Sequence, residues 1–129
     1  FSDFKSFSDS DVKVFPFIDE INKVFLISDI IISRSGAITL SELCFSKSPV
    51  FLIPSPNVTN NHQVLNALAF QRKGAAIVIE ESELQNKFES SFTDLIKDPI
   101  KQKNMVRNLN KMAKRDSVDL IINEIVKLI

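Results

Sequence analysis

The chain has 129 residues, 44% of them hydrophobic, and its 16 basic side chains balance 16 acidic ones. This length and composition predict one domain with a buried core and argue against disorder, while the zero net charge gives no overall signal for nucleic acid. A single cysteine excludes an internal disulfide, and Asp29 and Pro49 interrupt the apolar runs before these reach the roughly 20 residues of a membrane span.

The first residues match no regular element. The chain opens on Phe1, and residues 1–11 are rich in serine and aspartate. We expect 1–11 to be a lead-in that remains from a missing N-terminal part, and 12–129 to form a partial domain. The next residues, 12–17, form a short apolar run that predicts a strand ended by Pro16.

Short apolar, β-branched runs then alternate with stretches of helical period. Further strands are predicted at 30–33, 50–53 and 76–79, and helices at 18–28, 39–46, 63–73, 82–97, 99–115 and from about 117 to the end. Gly74 is expected to end the third helix, Ser82 to cap the fourth, and Asp98 with Pro99 to open the fifth. The pattern predicts an α/β fold, a doubly wound, Rossmann-like parallel sheet with C-terminal helices.

One polar cluster follows the strand at 30–33. We expect Gly36 to form a tight turn with access to positive φ, and a helix to open at Thr39, which together are typical of phosphate binding. Arg34 beside it could neutralise a diphosphate or form a surface ion pair. Glu42 could accept both hydroxyls of a ribose, but the spacing Thr39 to Glu42 also fits a capping box, and the two roles are compatible.

A second polar cluster lies one strand–helix unit further on. Gln63 and Asn66 are spaced to share one helix face, and neutral amides suit sugar hydroxyls because each supplies a donor and an acceptor. Two amides on a helix are also typical of a solvated surface. His62 could act as a base, but the sequence places no carboxylate to orient it, so a hydrogen-bonding role at the helix start is the alternative.

Two further features carry no site. A basic stripe on the fifth helix indicates either a solvated face or a contact with an acidic surface such as anionic lipid; it consists of Lys103, Arg107, Lys111 and Lys114. Cys44 is expected to be a small buried hydrophobe. With one histidine and one cysteine, we predict no metal site and no cofactor.

Several blocks, in order and spacing, resemble the C-terminal domain of the MurG family, the bacterial undecaprenyldiphospho-muramoylpentapeptide β-N-acetylglucosaminyltransferases. The blocks are 17–20, 29–33, Arg34–Leu43, Pro49 with Pro54, His62–Ala67 and 74–76. The resemblance implies an inverting, metal-independent GT-B glycosyltransferase whose C-terminal half binds UDP-GlcNAc. By motif match it places Gly36, Ala37 and Ile38 at the nucleotide and diphosphate, Glu42 at the ribose, and Gln63 and Asn66 at the GlcNAc hydroxyls. Arg34 and Ser35 are included in the predicted UDP-GlcNAc site.

The same resemblance implies partners beyond this chain. Lipid I would bind through the family's N-terminal domain, which would also contact the cytoplasmic face of the bacterial plasma membrane. No catalytic residue is assigned here, because that domain and the glycine-rich start of the C-terminal domain are absent. The sequence departs from the family at Lys47 and Ser48, where a glycine usually ends the helix.

Two other functions remain open from the sequence. One is the donor-binding subunit of a two-chain dolichol-linked GlcNAc transferase, which has a similar His-Gln motif but a different glycine motif. The other is a non-catalytic nucleotide-sugar-binding module built on the same half-domain.

Overall fold

A computed structural model describes residues 11–56, 61–113 and 125–127. Short strands alternate with helices, as the apolar pattern predicts. In chain order the elements are α1 Ile21–Ile27, β1 Ile31–Ser33, α2 Ala37–Leu43, β2 Val50–Leu52, α3 His62–Arg72, β3 Ile77–Val78, a 3-10 turn Glu81–Glu83, α4 Leu84–Ile96 and α5 Pro99–Lys111.

The three strands form one parallel sheet in the order β1-β2-β3. Ile31 pairs with Val50, and Phe51 pairs with Ile77, so β2 is the central strand. All three residues of β2 are buried, which is why its sequence is continuously apolar rather than alternating.

The sheet is covered on both faces. Val50 and Leu52 of β2 point to one face, where they join a core with the buried side chains of α1, α2 and α3. Phe51 points to the other face and packs with Leu95 and with the tilted rings of Phe88 and Phe92. The Rossmann-like α/β prediction is therefore confirmed.

Two helix ends are as the sequence predicts. Gly74 follows α3 at φ +63°, and the Gly74 and Ala75 N–H groups donate to the Gln71 and Phe70 carbonyls at 2.8 and 2.9 Å, which is a Schellman ending. At the start of α5 the Asp98 carboxylate accepts the Lys101 N–H at 2.8 Å, and Pro99 occupies the first turn, where no N–H is needed.

Several local predictions are wrong. Residues 12–17 form no strand, because an extended segment needs a pairing neighbour and Pro16 cannot donate to one. Ser82 does not cap α4, since it lies inside the 3-10 turn and Glu83 precedes the helix. The fifth helix ends at Lys111 rather than at 115, and most of the predicted last helix lies outside the described residues.

Candidate functional site

The polar clusters of the sequence meet at the carboxyl ends of the strands. Residues 34–36 leave β1, residues 53–56 leave β2, and α3 begins at His62 beside both exits. In open parallel sheets this edge is where ligands bind.

Ser35 joins the exit of β1 to the start of α3. Its side chain is fully buried, and its Oγ donates to the Gln63 carbonyl oxygen at 2.7 Å. The Asn66 Nδ2 donates back to the Ser35 carbonyl oxygen at 3.3 Å. Two hydrogen bonds thus connect the first turn of α3 to the residue directly before Gly36, so the position of this loop depends on the position of α3.

Gln63 also holds the exit of β2. Its Oε1 accepts the Ser55 N–H at 2.9 Å. Because only the oxygen of the amide can accept this bond, the Nε2 is the end that faces away from Ser55. The Gln63 Nε2 and the Asn66 Oδ1 make no hydrogen bond with the described residues. Each half-buried amide therefore bonds a loop through one of its two polar atoms, and its other polar atom is available to a ligand.

The turn at Gly36 differs from its prediction. Gly36 has φ −66° and ψ 145° and is the N-cap of α2, which begins at Ala37 instead of Thr39. The first helical hydrogen bond runs from the Leu40 N–H to the Gly36 carbonyl at 3.0 Å. A Cβ at position 36 would have Thr39 Oγ1 as its nearest neighbour, at 4.0 Å. Positive φ is therefore not what this turn requires of the glycine.

The early start of α2 removes the capping-box alternative for Glu42. A capping box needs a side-chain bond at the N-cap, and α2 has Gly36 there with no side-chain cap. Glu42 is half-buried, and its carboxylate forms no ion pair or hydrogen bond with the described residues. Its carboxylate is thus free to accept hydrogen bonds from a ligand.

Glu42 lines a groove of about 690 Å³ together with Thr39 and Ser33. The opposite wall is formed by the segment 15–19, where Phe17 is 75% exposed. The sequence assigned this segment to a strand and a helix start, so this wall was missed. The signal that could have found it is the pair of aromatic residues, Phe15 and Phe17, flanking Pro16 in a segment that cannot pair well as a strand.

Arg34 forms the surface ion pair that the sequence left as an alternative. Its Nη1 lies 2.6 Å from the Glu81 Oε2 and donates to the carbonyl oxygens of Ile53 and Pro54 at 3.3 and 3.4 Å. Its other guanidinium N–H groups make no hydrogen bond with the described residues, so a second role toward an anion stays a prediction.

The remaining candidates lie at the starts of the same two helices. Ala37 and Ile38 are exposed on the first turn of α2, and His62 is exposed at the start of α3. Within the described ranges no three His, Cys, Asp or Glu side chains cluster as metal ligands would, and no helix there is long and apolar enough to cross a membrane.

Part of the basic stripe lines a groove at the opposite edge of the sheet. Lys103, Arg107 and Lys111 meet Lys47 there, beside Asp29, and Lys114 lies outside the described residues.

Cys44 is buried, and this burial raises the pKa of its thiol, as expected of a core residue.

Comparison with known proteins agrees with this geometry. The family described as the glycosyltransferase family 28 C-terminal domain matches residues 1–121. The chain belongs to this family. It is 41% identical over its whole length to the UDP-N-acetylglucosamine–N-acetylmuramyl-(pentapeptide) pyrophosphoryl-undecaprenol N-acetylglucosamine transferase of Flavobacterium psychrophilum, and 37% identical to the enzyme of the same name from Christiangramia forsetii.

The chain spans about a third of the length of these relatives, 35% in both cases. Among solved structures it is similar to MurG of Acinetobacter baumannii, with a TM-score of 0.76 over 89% of this chain and 33% of that one. At 23% identity this likeness supports the fold alone. The fold agrees with the GT-B half-domain predicted from the sequence.

Proposed function

We propose that the chain is the donor-binding part of an inverting glycosyltransferase that moves GlcNAc from UDP-GlcNAc to lipid I, forming lipid II in peptidoglycan synthesis. The observation that carries the proposal is the start of α3 in a chain of this family. Gln63 and Asn66 hold both strand exits with one end of each amide and keep the other end available. A donor and an acceptor fixed in this way suit a ligand rich in hydroxyls.

Each part of the donor would contact a different group of side chains. The ribose would bind Glu42 in its groove, because a carboxylate without a protein partner accepts hydrogen bonds from vicinal hydroxyls. The sugar would contact the free ends of Gln63 and Asn66. The diphosphate would lie near Gly36, Ala37 and Ile38, with Arg34 as a counter-charge, and the buried Ser35 would act by holding this loop on α3.

The acceptor side of the reaction is proposed to lie outside this chain. Lipid I would bind through an N-terminal domain of the kind found in the family, at the cytoplasmic face of the plasma membrane. We assign no cofactor and no catalytic base here, because Glu42 is assigned to the ribose and His62 has no carboxylate partner among the described residues to orient it as a base. The relatives are bacterial, which favours peptidoglycan over dolichol-linked synthesis.

The test is the ribose contact of Glu42. We expect Glu42→Gln in the full-length polypeptide to weaken UDP binding by about 1–3 kcal/mol, since a charge-assisted hydrogen bond is lost. The same variant should bind 2′,3′-dideoxy-UDP as the unaltered protein does, because that ligand lacks both hydroxyls. Calorimetric titration with each nucleotide measures the difference.

Glu89→Gln is the matched control, since Glu89 is exposed on α4, which packs on the opposite face of the sheet from α2. It should change neither affinity. Equal losses for UDP and its dideoxy analogue in Glu42→Gln would contradict the ribose contact, and an unaltered protein that binds neither UDP nor UDP-GlcNAc would refute the proposed function.

A further inference from the structure

One guanidinium connects the ends of all three strands. Arg34 follows β1 directly, and its Nη1 donates to the carbonyl oxygens of Ile53 and Pro54, which follow β2. The same nitrogen lies 2.6 Å from the carboxylate of Glu81, which opens the 3-10 turn after β3. The segments that form the candidate site are therefore tied together by a single side chain.

This ion pair differs from the other two in the described part of the chain. Lys23 with Glu20 and Lys87 with Glu83 are three and four residues apart and stay within one local turn. Arg34 and Glu81 are 47 residues apart, and their contact connects two strand exits. The two local pairs connect no such distant segments.

The contacts of Arg34 leave part of its donor capacity unused. A guanidinium has five N–H groups in a rigid planar fork, and the contacts with Glu81, Ile53 and Pro54 all use Nη1. The Nε and Nη2 groups make no hydrogen bond with the described residues. Because the fork is planar, fixing Nη1 also fixes the plane in which the other three N–H groups lie.

We propose that Glu81 is a positioning residue for the donor's diphosphate, acting through Arg34. Its carboxylate holds the guanidinium across the strand ends so that the free N–H groups are already oriented for a phosphate oxygen. A long arginine side chain otherwise loses its rotamer freedom when the ligand binds, and holding it beforehand removes that cost from binding. This inference rests on the proposed function and adds to it a residue that does not itself touch the donor.

The experiment compares UDP with uridine, which lacks the phosphates, in the full-length polypeptide. We expect Glu81→Ala to weaken UDP binding about two- to tenfold, the cost of immobilising one rotamer-rich side chain on binding, and to leave uridine binding unchanged. Glu81→Gln keeps a hydrogen-bond acceptor for Arg34 and should restore part of the loss. In an Arg34→Ala background, Glu81→Ala should cause no further loss, since the two residues act as a unit.

Glu83→Gln is the matched control, because Glu83 lies in the same 3-10 turn and pairs only with Lys87 among the described residues. It should bind both ligands as the unaltered protein does. Equal losses of UDP and uridine in Glu81→Ala would mean a merely structural role. Unchanged UDP binding would mean that Glu81 has no role, and tighter UDP binding would mean that its carboxylate competes with phosphate; each of these results overturns the inference. An unaltered protein that binds neither ligand would instead overturn the proposed function on which it rests.

Discussion

At the scale of the residue, the amides of α3 have two tasks that the sequence could not separate. Gln63 was predicted to contact the sugar, and its Oε1 is occupied by the Ser55 N–H. Removing the whole side chain would therefore release a loop as well as any sugar contact. The informative change is one that alters only the free end of the amide.

Gln63→Glu comes nearest to that change. It keeps an oxygen for the Ser55 N–H, replaces the free NH₂ donor with an acceptor and adds one negative charge, which accounts for a small loss of affinity for the diphosphate. We expect it to lower kcat/KM for UDP-GlcNAc by roughly 5- to 150-fold, the scale of an unpaired buried hydroxyl, with a smaller loss of UDP affinity. Steady-state kinetics and a UDP inhibition constant measure the two effects. If both fall equally, the free end of the Gln63 amide does not bind the sugar.

Cys44 gives the pH dependence that the structure predicts. Burial raises the pKa of its thiol above the ordinary 9.0, so with rising pH the unfolded chain loses this proton first. The unfolded state is then favoured. The stability that the neutral buried thiol contributes is complete below pH 9 and is lost as the pH rises through the thiol's pKa in the folded chain. Urea unfolding between pH 7 and pH 10 should show a steeper decline of stability for the unaltered chain than for Cys44→Ala. Parallel declines would exclude a role for the thiol.

At the scale of the element, the two glycines do different work although both flank helices. Gly74 ends α3 at φ +63°, and a Cβ there would lie 3.1 Å from the Asn108 Nδ2 of α5. Gly36 is the N-cap of α2 at φ −66°, and a Cβ there would make only an ordinary contact with the Thr39 Oγ1, at 4.0 Å. The first position needs a glycine for the fold, and the second does not.

Gly74→Ala should therefore lower the free energy of unfolding by about 1–2 kcal/mol, the cost of a left-handed conformation for a residue with a Cβ. Gly36→Ala is its control and should change stability by less than about 0.5 kcal/mol, because the lower conformational entropy of the unfolded chain offsets a weaker N-cap. Thermal or urea unfolding measures both. A large loss at position 36 would show that its backbone is more constrained than its φ indicates.

At the scale of the whole molecule, the proposed function gives the chain the donor side of a two-sided reaction. It spans 35% of the length of its relatives, and the described site contains no side chain assigned to deprotonate an acceptor. We expect the chain by itself to bind UDP without transferring sugar, since holding both reactants in line can supply roughly 7–11 kcal/mol of the barrier. Purified chain is incubated with UDP-GlcNAc and a lipid I analogue, and any product formed above the protein-free rate would contradict this expectation.

The sequence by itself determined the order of the elements and the class of the fold. Apolar β-branched runs such as Ile30–Ser33 and Val50–Ile53 are local signals for buried strands, and Gly74 and the Asp98–Pro99 pair mark helix ends by local chemistry. The same local rules misplaced the start of α2. Thr39 is a good N-cap residue, but Ala37 and Ile38 continue the helix back to Gly36.

Only the tertiary structure decided how the site residues meet. The partners of Arg34 lie 19, 20 and 47 residues away, and those that join Ser35 to Gln63 and Asn66 lie 28 and 31 residues away. Periodicity reports which face of an element is buried, but it carries no information on which polar groups of distant loops will bond. That is set when the parallel strands align and bring their carboxyl ends to one edge, because only there do these buried and half-buried polar groups find the partners that they need.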